Sequence, residues 1–282
     1  YDRLIPDPQG EGARHADVVI EAIYENLEAK HRLLADLEAR MRPDAVLATN
    51  TSSLRLEDLA TVLKNPSRLV GIHFFNPVAK MPLVEVVEAS GAAAAALARA
   101  YAFVRAIDKL PLPVKSAPGF LVNAVLAPYM LEAMRCVDEG LSPEVVDQAM
   151  LDFGMPMGPI ELADTVGLDI ALAAGRQLAQ VQEAPRCLTE RVEAGNLGRK
   201  SGRGFYVYRD NKAQKSAPGN VPPSIRERLL QPLIGSTQAL VAKGIVADGD
   251  LADAGVVFGT GFAPYTGGPL HYADGRGPGK VA

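Results

Sequence analysis

Several residue types are scarce in this chain, and each scarcity excludes a class of protein. Among 282 residues there is no tryptophan, and there are only two cysteines and four histidines. Two cysteines do not make the disulfide framework of a small secreted domain, and neither they nor the widely spaced histidines show the spacing of a zinc site. We expect no metal site. A buried Cys136 and unpaired thiols fit a reducing, cytoplasmic setting.

Neither charge nor hydrophobicity is extreme. The net charge is −4, from 29 Lys and Arg against 33 Asp and Glu, which gives no general reason to expect nucleic-acid binding. Hydrophobic residues make up 48% and charged residues 22% of the chain, which is ordinary globular composition and argues against disorder throughout. No apolar run approaches the roughly 20 residues of a membrane span.

The chain also lacks the strand–GxGxxG–helix sequence with which a dinucleotide-binding fold normally begins. The nearest match, Gly10 to His15, has no buried strand before it, no third glycine and no helical period after it. We interpret it as a chance match. The chain opens without an initiator methionine or a signal peptide, so we expect it to be a piece of a longer protein.

The first part of the chain alternates between strands and helices. Short runs rich in valine and isoleucine predict buried strands, and charged segments with leucine at helical spacing predict helices between them. The predicted strands are residues 16–23, 45–49, 69–75, 83–87 and 111–115, and the predicted helices are 27–41, 56–63 and 90–108. This alternation is typical of a mainly parallel α/β sheet with helices on its faces.

From Ala117-Pro118-Gly119 onward the pattern is almost entirely helical, and 120–168 is repeated in 224–278. Pro128 and Gly140 recur as Pro232 and Gly244, and the residues Gly158, Pro159, Asp164 and Gly167 recur as Gly268, Pro269, Asp274 and Gly277. We expect two helical copies packed on each other, unless loops rich in glycine and proline match by chance. The predicted domains are 1–116 (α/β), 117–208 (first copy), 209–223 (a polar linker) and 224–282 (second copy, whose completeness stays open).

The ends of the predicted strands carry the strongest candidates for catalysis. His73 ends an apolar strand, and a histidine there suits proton transfer at neutral pH. Glu85 lies within the apolar run LVEVV, where a carboxylate is costly unless it is paired or faces the end of the sheet. A His73–Glu85 pair would fix the imidazole tautomer and stabilise the imidazolium. A structural histidine, and an edge strand with Glu85 in solvent, remain alternatives.

Three further segments carry candidate ligand-binding residues. The segment Asn50-Thr51-Ser52-Ser53 follows a strand, where open α/β sheets bind ligands, unless it only caps the next helix. Asn123 lies in the first turns of a helix, and it either faces a cleft between domains or is a capping or polar-face residue. Lys200 lies in the basic, glycine-rich turn GRKSGRGFYVY and either reaches an anionic ligand or stands in a solvated turn before a short strand.

Together these segments resemble the L-3-hydroxyacyl-CoA dehydrogenases of fatty acid β-oxidation. The resemblance runs from about residue 16 to the end and rests on VVIEAIYENLEAK, ATNTSSL, GIHFFNPVAKMPLVEVV, APGFLVNAVLAPYMLEA, FGMPMGPIELADTVGLD and GRKSGRGFYVY. The second helical copy, with GTGFAPYTGGPLHYAD, is similar to the multifunctional form, the α-subunit of the bacterial fatty acid oxidation complex or the peroxisomal bifunctional enzyme. Single-activity members dimerise through one copy, and here the duplicate would replace the partner.

The resemblance implies a truncated Rossmann-type domain followed by two helical dehydrogenase repeats, and oxidation of an L-3-hydroxyacyl-CoA to the 3-ketoacyl-CoA by NAD⁺. It implies that His73 is the catalytic base and Glu85 its partner. Ser52 and Asn123 match the residues that hydrogen-bond the 3-oxygen of the substrate and help hold the cofactor. The implied cofactor-binding residues are Ile23, Tyr24, Glu25, Lys30, Ser52, Asn76 and Lys200.

The resemblance also implies that several parts of the family precede Tyr1: the GxGxxG turn, the acidic residue for the adenosine ribose, the Ser/Lys segment for CoA and a hydratase/isomerase half. We therefore expect the chain by itself to bind NAD⁺ poorly and to turn over slowly or not at all, since the helix N-terminus that cradles the pyrophosphate supplies much of dinucleotide binding. Two alternatives remain. One is a related dehydrogenase of a CoA-free hydroxy acid, and the other is a non-catalytic module that docks a thiolase partner.

Overall fold

The structure, a computed structural model, describes residues 4–178 and 183–275, apart from the side chain of Gln177. The chain divides after Phe120 into two units, Tyr1–Phe120 and Leu121–Ala282. Within the described residues no helix has both the length and the apolar character needed to cross a membrane.

The first unit is built on a five-stranded sheet, which confirms the five predicted strands. In the order of their positions in the sheet, these are β1 (Val18–Glu21), β2 (Val46–Thr49), β3 (Leu69–Phe74), β4 (Leu83–Glu88) and β5 (Leu110–Lys115). Neighbouring strands are parallel except β3 and β4, which are antiparallel. The strands β2, β3 and β4 are almost entirely buried, as expected when helices cover both faces of a sheet.

Three helices accompany the sheet, near their predicted positions: α1 (Leu27–Arg40), α2 (Leu56–Ala60) and α3 (Ala94–Ala106). The side chain of Asn26 caps α1, which fixes where this helix begins. Apolar residues of α1 and α2 pack with Leu47 and Leu69 of the sheet. Those of α3 pack with the alternate strand residues, which include Val46 and Val70. Because successive strand residues face opposite sides, the two apolar clusters lie on the two faces of the sheet.

Before β1 the chain forms a single 3₁₀ turn, Glu11–Arg14, at the place of the chance GxGxxG match. Among residues 4–10 there is no strand before it. The segment therefore has neither of the elements, a strand before and a long helix after, that a phosphate-binding turn requires.

The second unit is mainly helical, as predicted. Its helices are α4 (Val122–Asp138), α5 (Pro143–Phe153), α6 (Pro159–Val166), α7 (Leu168–Leu178), α8 (Arg186–Glu193), α9 (Pro223–Ala242), α10 (Gly249–Thr260) and α11 (Pro269–Ala273). Cys136 on α4 and Cys187 on α8 are buried, free thiols. Arg228 on α9 joins this helix to α4, because its guanidinium lies 2.6 Å from Glu132 and 2.5 Å from Glu139.

Part of the predicted linker 209–223 is folded. Residues 207–209 (β6, Val207–Arg209) and 212–214 (β7, Lys212–Gln214) form an antiparallel hairpin. Asp210 and Asn211 between them have φ of +50° and +60°, the left-handed conformation that both central residues of a type I′ turn adopt. The turn was not predicted, because the polar composition of the segment indicated a linker. Within the predicted linker, the turn residues 210 and 211 and the segment 215–222 lie in neither helix nor strand.

The helices that begin with a Gly-Pro pair, α6 and α11, are capped alike. The carboxylate of Asp147 on α5 accepts hydrogen bonds from two amides in the first turn of α6, at 2.7 and 3.2 Å. The carboxylate of Asp253 on α10 does the same for α11, at 2.7 and 2.9 Å. A Cβ added to Gly158 or Gly268 would lie 2.3 Å from the aspartate side chain, so both positions need glycine.

Other positions of the predicted repeat agree only in part. Pro128 and Pro232 each lie inside a long helix, α4 and α9. Asp164 is buried and accepts two backbone amide hydrogen bonds at 2.9 Å, whereas Asp274 is an exposed residue at the end of α11. The predicted counterpart of Gly167, Gly277, lies outside the described residues.

Candidate active site

A histidine–carboxylate pair lies where β3 meets β4. The antiparallel register places His73 opposite Glu85, and opposite residues project from the same face of a sheet. His73 Nδ1 lies 2.7 Å from Glu85 Oε2. Because a carboxylate only accepts hydrogen bonds, Nδ1 donates its proton to Glu85, and in the neutral imidazole Nε2 then carries the lone pair that a general base requires.

The pair is shielded from water. Glu85 is 0% exposed and His73 is 5% exposed. The strand β4 lies between β3 and β5, so the alternative of an edge strand with Glu85 in solvent is wrong. The rings of Phe75 and Phe120 stand edge-on to the imidazole, with centroids 4.7 and 5.6 Å from its own.

A second cluster joins the segments that follow β1 and β2. One carboxylate oxygen of Glu25 accepts hydrogen bonds from the hydroxyls of Thr51 and Ser53 and from the amides of Ser52 and Ser53, at 2.5 to 3.1 Å. Burial opposes ionisation of Glu25, but these hydrogen bonds and the nearby Lys30 outweigh it and lower its pKa below the ordinary value. The structure thus brings Glu25 and Ser52 together, and their implied contacts with the cofactor stay predictions.

A buried ion pair supports this cluster. Lys30 is 1% exposed, and its Nζ donates to Glu21 Oε1 at 2.7 Å and to the carbonyl of Ile23 at 3.1 Å. The same Nζ lies 3.4 Å from Glu25. The other carboxylate oxygen of Glu21 accepts a hydrogen bond from the Thr49 hydroxyl at 2.7 Å. These contacts of Lys30 are all within the chain, and its implied contact with the cofactor stays a prediction.

Sequence reasoning missed Glu21. It lies in the predicted strand 16–23 and is a carboxylate within an apolar run, the same signal that singled out Glu85. It also missed a role for Asn50, whose side-chain oxygen accepts a hydrogen bond from Phe74 N at 2.8 Å. This bond ties the end of β3, beside His73, to the end of β2.

The remaining candidates of the first unit are at its surface. Tyr24 is 70% and Ile23 is 37% exposed, and Asn76 is exposed in the loop after β3. Because β1, β2 and β3 are parallel, their carboxyl ends share one edge of the sheet, the edge at which open α/β sheets bind ligands. All candidates in the first unit follow or end these strands, apart from Glu85, which faces His73 from β4, and Lys30, which lies on α1.

Two candidates belong to the second unit. Asn123 is half-buried in the first turn of α4, where Leu121 is the N-cap residue, and its role stays a prediction. Lys200 lies in a 3₁₀ turn before the short strand β6 and pairs with Asp169 at 2.6 and 2.7 Å. Burial opposes ionisation of Asp169, but Lys200 and backbone amides lower its pKa. Among the described residues no group of three or more His, Cys, Asp or Glu could hold a metal ion.

Comparison with family models identifies the family to which this chain belongs. The model described as the 3-hydroxyacyl-CoA dehydrogenase NAD-binding domain matches residues 2–117, and that of the C-terminal domain matches residues 119–208. The chain belongs to the 3-hydroxyacyl-CoA dehydrogenase family. Its α/β unit is thus the family's NAD-binding, Rossmann-type domain, followed by the family's helical domain.

Individual relatives agree with this assignment. The fatty acid oxidation complex subunit alpha of Vibrio cholerae is 38% identical over 287 residues, which cover 96% of this chain and 40% of that protein. The crystal structure of Escherichia coli 3-hydroxybutyryl-CoA dehydrogenase has a TM-score of 0.84 at 28% identity, over 98% of this chain and 78% of that one. Mycobacterium tuberculosis FadB2 has a TM-score of 0.68 at 40% identity, over 71% and 73%. The chain spans about 40% of the length of the curated relatives it matches.

Proposed function

We propose that this chain carries the catalytic centre of an NAD-dependent oxidoreductase that oxidises L-3-hydroxyacyl-CoA to 3-ketoacyl-CoA in fatty acid oxidation. The observation that supports it is the buried His73–Glu85 pair at the ligand-binding edge of a sheet from the 3-hydroxyacyl-CoA dehydrogenase family. The substrate class rests on the names of the relatives, which act on acyl-CoA or belong to a fatty acid oxidation complex.

The residues of the pair have distinct roles in the proton transfer. His73 Nε2 takes the proton of the 3-hydroxyl group, and the imidazolium that forms keeps its Nδ1 proton, which it donates in a hydrogen bond to Glu85 Oε2 across 2.7 Å. Glu85 therefore stabilises the positive charge without itself being protonated. In the reverse direction the imidazolium returns its proton to the 3-oxygen. Glu85 is a positioning residue, because it is fully buried behind His73.

The donor set at the strand ends fits a nicotinamide nucleotide. The exposed apolar surface of Ile23 and Tyr24 suits a ring, and the adjacent oxygens of Glu25 and Ser52 suit ribose hydroxyls and an amide. Bound at these residues, NAD⁺ would supply the acceptor for the hydride that leaves C3 of the substrate. Within this set the Lys30 ammonium pairs with the Glu25 carboxylate, and Glu25 accepts a hydrogen bond from the backbone amide of Ser52.

The other residues keep the roles that the resemblance implied. Ser52 and Asn123 hydrogen-bond the 3-oxygen, and Asn76 and Lys200 contact the cofactor. For Lys200 this contact competes with its ion pair to Asp169. Two free, buried cysteines support the cytoplasmic setting.

We also propose that the helical part contains two copies of one unit, 117–208 and 224–282, after an α/β domain that ends near residue 116. The matching caps of α6 and α11 by Asp147 and Asp253 support this duplication. The Arg228 contacts between α9 and α4 support packing of one copy on the other. The similarity to complex α-subunits further supports a thiolase subunit as partner.

The test replaces the proposed base in the full-length protein that contains this sequence. His73→Ala should lower kcat for 3-ketoacyl-CoA reduction by NADH about 10²–10⁴-fold, the usual contribution of general acid–base catalysis. Near-normal turnover would reject the assignment. Turnover of the free 3-keto acid as readily as of its CoA thioester would favour a dehydrogenase of CoA-free acids. If calorimetry detects binding of a thiolase but of neither NAD⁺ nor 3-ketoacyl-CoA, the result would favour a non-catalytic docking module.

A further inference from the structure

We propose that Phe120 is a positioning residue for His73. Its ring, presented by a left-handed backbone conformation, restrains the tilt of the imidazole and keeps water from it. This proposal rests on the proposed function, in which His73 is the base. Phe120 is not among the catalytic and cofactor-binding residues described above.

The first observation is the backbone of Phe120, whose φ is +48°. In the described part of the chain the other non-glycine residues with positive φ are Asp108, Asp210 and Asn211. Aspartate and asparagine accept this region because their short polar side chains bond locally, whereas a bulky residue there brings its Cβ too close to the next carbonyl oxygen. Phe120 is therefore the outlier that the local sequence does not explain.

A tight turn leads into this conformation. Phe120 N donates to the carbonyl of Ala117 at 3.1 Å, and Gly119 has φ +73°. Proline at the second and a left-handed glycine at the third position are the signature of a type II turn. Two successive residues with positive φ bend the chain, and the second carries a large side chain into the interior.

The second observation is the destination of that side chain. Phe120 is 0% exposed, and its ring stands edge-on to the imidazole at 61°, with 5.6 Å between centroids. Phe75 makes a similar contact at 68° and 4.7 Å. The bond from Nδ1 to Glu85 fixes one point of the imidazole but lets the ring tilt about it. Two aromatic rings against the imidazole restrict that tilt and so fix Nε2.

The position of Nε2 matters because catalytic groups must stay within about 0.5 Å of the productive geometry. A glycine at position 120 would adopt the same φ without strain but would carry no ring. Backbone strain that persists at one bulky residue beside a catalytic group is an indication of function. The alternative is that Phe120 only fills the core, in which case its loss lowers stability and leaves kcat unchanged in the folded protein.

The experiment compares Phe120→Ala, Phe120→Gly and Phe120→Leu in the full-length protein, with His73→Ala alongside. Alanine and glycine both remove the ring, but only glycine relieves the strain, so the glycine variant should exceed the alanine variant about 5- to 30-fold in its folding equilibrium constant. Both should lose kcat about 10- to 100-fold, because a small misplacement of the base has that effect. KM should not change, because the lost restraint acts on the transition state. Leucine, which fills the space, should recover part of kcat.

Two results separate the possible failures. If the folded alanine and glycine variants keep the kcat of the wild type, and only their stability is lower, Phe120 has only a structural role and the proposal is wrong. If the alanine variant does not fold, the kcat of the glycine and leucine variants, compared with that of the wild type, still decides between the two roles, with folding checked by circular dichroism. If instead His73→Ala keeps its activity, the proposed function fails, whatever the Phe120 variants do.

Discussion

Replacing Glu85 with glutamine removes the negative charge of the buried pair but keeps the shape of the side chain. The change keeps the size of the side chain and an oxygen that can accept the Nδ1 proton of His73 across 2.7 Å. What disappears is the negative charge that faces the imidazolium in the transition state. The magnitude of the kinetic loss therefore measures electrostatic stabilisation at this one contact.

Two estimates bracket that loss. A hydrogen bond to a charged group contributes about 1.5–3 kcal/mol and a neutral one about 0.5–1.5 kcal/mol, so the difference of about 1–1.5 kcal/mol predicts roughly a tenfold decrease in kcat. The direct attraction of two unit charges about 4 Å apart is about 4 kcal/mol at an effective dielectric constant of 20, which sets an upper limit near 10³-fold. We expect a loss between these limits and smaller than that of His73→Ala.

The assay follows NADH consumption at saturating 3-ketoacyl-CoA and compares kcat and KM with the wild type. KM should stay the same, because Glu85 is 0% exposed and does not reach a ligand. Stability should not fall sharply, because an amide is less costly to bury than a carboxylate. A variant with wild-type kcat would refute the role of Glu85. A loss of activity that parallels unfolding in circular dichroism would show a structural role instead.

Two further predictions concern the cluster at the ends of β1 and β2. Glu21→Gln should lower the free energy of unfolding by about 3 kcal/mol, because it leaves the buried Lys30 ammonium without its main partner. Urea denaturation measures this loss. The double variant Glu21→Gln/Lys30→Met should recover part of it, because it also removes the unpaired charge. Because the pKa of Glu25 is lowered in the folded state, its ionisation stabilises the fold above its ordinary pKa near 4.5, and this contribution is lost as the pH falls through the folded value. The difference in urea midpoint between wild type and Glu25→Gln should therefore shrink from pH 6 to pH 3; a constant difference would contradict it.

The sequence predicted the strands well because their signal is local. Runs such as LVGIHFF and LVEVV are apolar on both faces, which is typical of strands that helices cover on both sides. The first strand of the hairpin, β6, was one of two interpretations of GRKSGRGFYVY, whereas β7 and the turn were missed because they are polar and only Asp210-Asn211 marked the turn. The pairing of His73 with Glu85 was a hypothesis from the isolated charge, while its register depends on tertiary structure. Phe120 gave no signal, because a backbone φ cannot be read from residue type.

The single antiparallel pair in the sheet explains how the two members of the proposed catalytic pair reach the end of the sheet at which open α/β sheets bind ligands. Ligands bind beyond the carboxyl ends of parallel strands, and His73 is the fifth of six residues in β3. If β4 were parallel to β3, its carboxyl end would lie at the ligand-binding end of the sheet. Its third residue, Glu85, would then lie toward the opposite end of the strands. Because β4 runs antiparallel, its beginning lies beside the end of β3, and Glu85 falls opposite His73. The loop of eight residues from Phe75 to Pro82 allows this reversal, whereas a parallel connection needs a crossover of a dozen residues or more. The direction of one strand thus determines whether the carboxylate in LVEVV can contact the proposed base.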